Sequence, residues 1–262
     1  IMELRLVLRA HSAFAAVSGG LAVLVPSFFG SVFPSLSTPD TLAFVVRIYA
    51  VLLTAQAPLL HGIRQVESRP GLSRFCAVYA GIFGGTAIVC VHSDFVLGVV
   101  REANQGFVFL WAGLCAVYAI FSTLPSAGVL FPVWSVAHMV MVTFIGLTAL
   151  ANPAACNVRY FLVPNEDAYN TVSRYYGVLI LGMSFLAATA TSDAAQPAWP
   201  SLRLGFSLMF AASGACLALL LVERSQLDVI GVGSLLMFLG LAFAYATARL
   251  PSAPAQRHVK RL

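Results

Sequence analysis

The amino-acid sequence predicts an all-α integral membrane protein whose eight transmembrane helices form two parallel four-helix repeats. Three observations lead there. Of the 262 residues, 60% are hydrophobic and only 10% are charged, whereas soluble domains carry about a quarter charged residues and roughly half apolar ones. The apolar residues fall in continuous stretches of about 20, the length that crosses a hydrocarbon core as a helix. They lack the period-two alternation of a membrane strand. Finally, the second half of the chain repeats the first, with Ala10-His11 returning as Ala137-His138.

The stretches run over residues 6–25, 42–61, 72–92, 106–124, 129–151, 171–191, 202–222 and 229–249, and every break between them holds Pro, Gly or charge. Leu8 and Arg9 open the first, which ends at Pro26. Asp40 precedes the second, entered through Arg47 and Tyr49; Arg74 opens the third. The domain plan is a first repeat over 1–127, a second over 128–250 and a basic C-terminal tail over 251–262. Little length is left for a soluble domain.

The same shift sets Gly19 on Gly146, Pro26 on Pro153, Asp40 on Asp167, Arg47 on Arg174 and Tyr49 on Tyr176. Over residues 10–60 there are 12 identities in 51 ungapped pairs, and the rarer residues match best. A slip of two then sets Arg74 on Arg203 and Gly85 on Gly214, after which the original shift returns and sets Tyr118 on Tyr245. Four crossings bring the chain back to its starting side, so the copies share one orientation about an axis along the membrane normal. Inverted repeats need an odd number of helices each, which lowers the carrier reading.

Charge sets the orientation. The side holding both termini carries ten cations against three acids, the other five against seven. By the positive-inside rule both termini face the cytoplasm, matrix or stroma. The basic excess therefore reports topology and no nucleic-acid partner. Five well-separated cysteines without a CxxC motif imply neither a disulfide framework nor a metal knuckle. The start at Ile1 is consistent with a targeting segment already removed, and hence with a thylakoid or mitochondrial inner membrane.

The unit's outline, an early Arg9, an apolar run ending in Pro26, then Arg47-x-Tyr49, resembles the four-helix module of the tumour-suppressor-inducible protein eleven family. In the second copy Arg174-Tyr175-Tyr176-Gly177 supplies the Gly that Ala50 replaces, while Val136 stands where Arg9 stands. The resemblance implies a membrane module with no catalytic residues to carry over.

His11 and His138 are the candidate cofactor-binding residues, because each lies at one depth in the first helix of its repeat, where ionisable residues are costly. A neutral imidazole ligates haem iron or chlorophyll magnesium; hydrogen bonding between helices is the bland alternative. Arg47, Tyr49, Arg174 and Tyr176 are candidate lipid or interface anchors, each arginine seven residues after an acid it could reach. His61 and His92 lie near helix ends. Small residues four apart, Ala15 with Gly19 and Gly81 with Gly85, allow close helix packing.

No acid lies within an apolar stretch, so an ion-coupled transporter or proton pump lacks its usual carboxylate. No P-loop, GxGxxG, HExxH or GxSxG occurs, which leaves catalysis and a metal centre without residues. The expectation is a non-catalytic scaffold or accessory subunit of a large organellar bioenergetic complex. The two histidines tilt it slightly towards a photosynthetic supercomplex over a mitochondrial respiratory or ATP-synthase assembly. Its expected partners are membrane lipids and other membrane subunits. The alternatives are a small-solute or lipid carrier using the interface between repeats, and a haem-binding redox membrane protein.

Overall fold

The structure, a computed structural model of the chain, describes residues 2–27, 40–95, 104–122, 133–158, 167–191, 198–223 and 229–248. Regular structure among them is helical. Eight long helices are α1 (Met2–Leu24), α2 (Asp40–Ile63), α3 (Arg69–Phe95), α4 (Asn104–Phe121), α5 (Val133–Ala151), α6 (Asp167–Ala190), α7 (Trp199–Glu223) and α8 (Val229–Thr247). A short helical turn, Pro153–Cys156, follows α5. Five helices are long and apolar enough to cross a membrane, over Glu3–Leu24, Val46–Ile63, Arg69–Ser93, Tyr169–Ala190 and Trp199–Val222. The remaining three contain the shorter apolar segments Val108–Phe121, Val136–Ala151 and Gly231–Thr247. The expected start at 129 and the tail 251–262 lie outside the described residues.

Local chemistry sets the boundaries. The third helix begins ahead of its apolar stretch because Ser68 caps it, its Oγ accepting the Gly71 N–H at 3.2 Å, with Pro70 in the first turn. Asp40 and Asp167 are the first residues of α2 and α6, where the positive end of the helix dipole favours an acid. After α5, Asn152 caps the short turn by accepting the Ala155 N–H at 3.1 Å. Buried Asn157 then ties that segment to α6 by donating to Asn170 at 2.8 Å and accepting from Ser173.

Within each half the packing runs α1 on α2 and α3 on α4, then α5 on α6 and α7 on α8. Between the halves α2 packs on α7, α3 on α6, and α2 touches α6. The interior therefore belongs to α2, α3, α6 and α7. The outer helices keep large apolar side chains exposed, among them Val17 on α1, Phe109 on α4, Phe144 on α5 and Phe243 on α8.

Missing side chains permit these crossings. A Cβ on Gly19 would lie 2.6 Å from the Thr54 backbone nitrogen and 3.0 Å from the Ala50 carbonyl. One on Gly146 would lie 2.6 Å from Leu181, and one on Gly177 would lie 2.9 Å from the Gly146 carbonyl. The α1–α2 crossing thus uses positions 19, 50 and 54, and the α5–α6 crossing uses their counterparts 146, 177 and 181. Both bring backbones within the reach that small residues allow.

Candidate functional site

His11 faces across its own half to α4, where its Nδ1 shares a hydrogen bond of 2.7 Å with the Tyr118 hydroxyl. In the other half the Nδ1 of His138 and the Tyr245 hydroxyl of α8 lie 2.5 Å apart. Both pairs span 107 residues of sequence. Each ties the first helix of a half to its fourth.

Aromatic rings enclose both imidazoles. Around His11, Tyr79 and Phe83 of α3 stand 5.3 and 5.2 Å away between centroids, and Phe83 stacks on Trp111 of α4 at 5.5 Å. Around His138 the corresponding rings are Phe206 at 6.2 Å and Phe210 at 4.9 Å, with Phe210 stacked on Phe238 at 6.3 Å. Tyr79 stacks on Tyr118 at 5.2 Å, as Phe206 does on Tyr245 at 4.8 Å. Positions 11, 79, 83, 111 and 118 thus correspond to 138, 206, 210, 238 and 245, His to His and aromatic to aromatic at one constant shift.

This corrects the two-residue slip expected in the third helix of the repeat. The rings of α3 and α7 match with no slip, and the proposed partners Gly85 and Gly214 face different surfaces. A Cβ on Gly85 meets Val178 of α6, whereas one on Gly214 meets Leu239 and Phe238 of α8. Aromatic packing against the imidazole fixes the register, so chance matches of Arg and Gly misplace it.

The halves differ at their centre. Gln56 of α2, which is buried, accepts the Tyr79 hydroxyl proton at 2.7 Å and donates through Nε2 to the Leu52 carbonyl at 3.3 Å. The same Nε2 lies 3.7 Å from the sulfur of Met183 on α6, which stands 127 residues further on, the shift that sets His11 on His138. A cavity of about 30 Å³, room for a water or two, lies between His11, Tyr49, Gln56, Tyr79 and Thr86. At the matching places in the second half stand Met183 for Gln56 and Phe206 for Tyr79, and His138 has no exposed surface. His138 Nε2 is buried without a hydrogen-bond partner.

A further polar link has changed helices. Ser12 of α1 donates to the Ala57 carbonyl of α2 at 3.0 Å, while in the second half Ser184 of α6 donates to the Met139 carbonyl of α5 at 3.2 Å. Position 139 is the counterpart of 12, and 184 of 57, so donor and acceptor have traded places.

Tyr49 and Tyr176 do not form an exposed aromatic belt. Both are buried in the core, and Tyr49 lies 6.1 Å from Tyr175 across α2 and α6. Arg174 is partly buried and does not bond Asp167, although both stand where expected; its Nη1 is buried without a partner. Arg47 is partly buried, and the Asp40 side chain lies outside the described residues. Among the described residues no three of His, Cys, Asp or Glu gather where they could hold a metal ion. No family model, curated protein or solved structure matches the chain.

The tyrosine partners were missed from sequence, although Tyr118 and Tyr245 already aligned beside the two histidines. Retention of both His and Tyr at one spacing in both copies was the available signal. Gln56 carried no such mark, since its counterpart is Met183.

Proposed function

We propose that the chain is a non-catalytic membrane scaffold: two copies of one four-helix unit, eight crossings in all, packed laterally within a larger membrane assembly. The doubled imidazole–tyrosine cluster carries this reading. In each half the histidine best suited to ligation is turned onto a tyrosine of the same unit, where it clamps the first helix to the fourth. Such a bond between helices in a membrane contributes about 0.6 kcal/mol, at most near 2. Its role is to close the unit.

The Gln56–Met183 contact supports a twofold relation between the units, because a residue touches its own counterpart only beside the axis relating them. The exchange of α2–α7 for α6–α3 packing agrees with that relation. At 18 and 19 residues, α4, α5 and α8 extend roughly 27–29 Å, close to the hydrocarbon thickness of about 30 Å. At the α2–α7 part of the interface a carrier would open, Gly62 packs on Leu202 and Gly205 on Leu59, which favours the scaffold over the carrier. Exposed apolar flanks on α1, α4, α5 and α8 suit lipid or neighbouring membrane subunits.

Mild solubilisation of the source membrane followed by native electrophoresis tests the assignment. The chain should migrate with other subunits at several times its own mass. Migration as a lone chain under every mild condition overturns the scaffold reading.

A further inference from the structure

The α3–α6 and α2–α7 contacts between the halves are both close: at α3–α6 a Cβ on Gly182 would lie 2.2 Å from Ile82 and one on Gly85 would lie 3.0 Å from Val178. At α2–α7 the helices interlock, since a Cβ on Gly205 would lie 2.9 Å from Leu59 and one on Gly62 would lie 3.1 Å from Leu202. Beside the α3–α6 contact lies an open apolar groove of about 450 Å³, lined by Gly81, Gly85, Val178, Gly182 and Phe185 among others. A Cβ on Gly81 would meet nothing within 4 Å. The matching residues of the other contact are bulkier at all three glycines' places, with Leu208 for Gly81, Ala212 for Gly85 and Ala55 for Gly182.

Beyond the lining residues, the helix faces that form the groove carry an arginine and a histidine. Along α3 the groove face continues from Gly81 and Gly85 to His92, and along α6 it continues from Phe185 and Val178 back to Arg174, by the three- and four-residue spacing of a helix face. The Cys90–Tyr175 contact of 2.9 Å and the Ser93–Thr171 bond of 3.3 Å bracket these two residues, which sets them at one level on opposite walls. Among the described residues three buried side-chain nitrogens lack a hydrogen-bond partner, and His92 Nδ1 and Arg174 Nη1 are two of them. Side chains on a helix lean towards its N-terminus, so Arg174 reaches from the groove towards the start of α6. His92 has no counterpart on α7, where Leu219 stands.

We propose that the α3–α6 groove binds one anionic phospholipid, its acyl chain along the glycine-lined wall and its phosphate at Arg174 beside His92. The two features suit one molecule. A guanidinium forms charge-assisted, often bidentate bonds to phosphate, and the cleft takes the chain that follows the headgroup into the hydrocarbon layer. A zwitterionic lipid gains less, because its own cation competes for the phosphate. The site deepens the membrane reading above and does not depend on the scaffold role.

Native mass spectrometry of the delipidated full chain in micelles tests it, titrating phosphatidylglycerol against phosphatidylcholine of identical acyl chains. One phosphatidylglycerol should bind about tenfold more tightly than phosphatidylcholine, and Arg174→Gln should abolish that preference while Arg174→Lys retains most of it. Gly81→Leu, which installs the residue of the α2–α7 contact into open space, should weaken both lipids. Arg9→Gln removes an exposed cation of α1 and should change nothing. Equal affinity for the two lipids in the unaltered chain overturns the proposal, as does a phosphatidylglycerol affinity untouched by Arg174→Gln and Gly81→Leu. Because binding is read on the lone chain, its failure is separate from a failure to find partner subunits.

Discussion

Gln56 shows what a single polar residue costs and gains beside the axis. Its amide is buried, and Tyr79 donates to it across α2 and α3. Removing one partner of such a bond leaves the other buried and unpaired, whereas replacing both by apolar groups is nearly neutral. The second half has taken the apolar route with Met183 and Phe206. Gln56→Met should therefore destabilise the chain by about 1–2 kcal/mol, and Gln56→Met with Tyr79→Phe should recover most of the loss. Equilibrium unfolding in mixed micelles measures both, and a double variant less stable than the single one would contradict the argument. The histidines follow the same logic. Their neighbours 79, 83, 111 and 118 were invisible as a group because sequence spacing does not reveal which helices meet.

At the scale of helices, the α1–α2 crossing separates two adjacent glycines. A Cβ on Gly19 would press on the backbone nitrogen of Thr54 at 2.6 Å, and one on Gly20 would meet nothing within 4 Å. Backbone cannot move aside as a flexible side chain can. Gly19→Ala should thus cost about 1–3 kcal/mol through overpacking, while Gly20→Ala should be neutral or stabilise by up to about 1 kcal/mol through helix propensity. Thermal unfolding of the two variants side by side decides the point; equal effects would mean that the crossing is looser than its geometry. The helices themselves were legible in advance, since an apolar stretch is a local property and bilayer thickness selects its length. Their ends were less so, because Ser68 and Asp167 act through caps and dipoles that hydropathy ignores.

For the whole molecule, the connection after α2 and the start of α7 lie together, with Ser201 donating to Gln65 at 3.1 Å. The turn after α5 belongs at the opposite end of the helices. A cysteine introduced at Gln65 should accordingly be labelled from one face of the membrane, and one at Ala154 only from the other. Impermeant thiol reagents applied to sealed vesicles of known orientation give the answer, and labelling of both from one face would break the parallel arrangement.

The sequence by itself determined an apolar helical chain and the places of its helices, both of which are properties of composition and order along the chain. Tertiary structure alone decided that His11 bonds Tyr118 and His138 bonds Tyr245, that Tyr49 and Tyr176 are buried, and that the third helices align without a slip. It also decided how closely the helices of the two halves approach, and that an open groove lies beside the α3–α6 contact. The physical reason is that packing is settled over a few ångströms between residues far apart in the chain. A methyl group more or less, as between Gly182 and Ala55, changes hydropathy hardly at all and changes the approach of two helices a great deal.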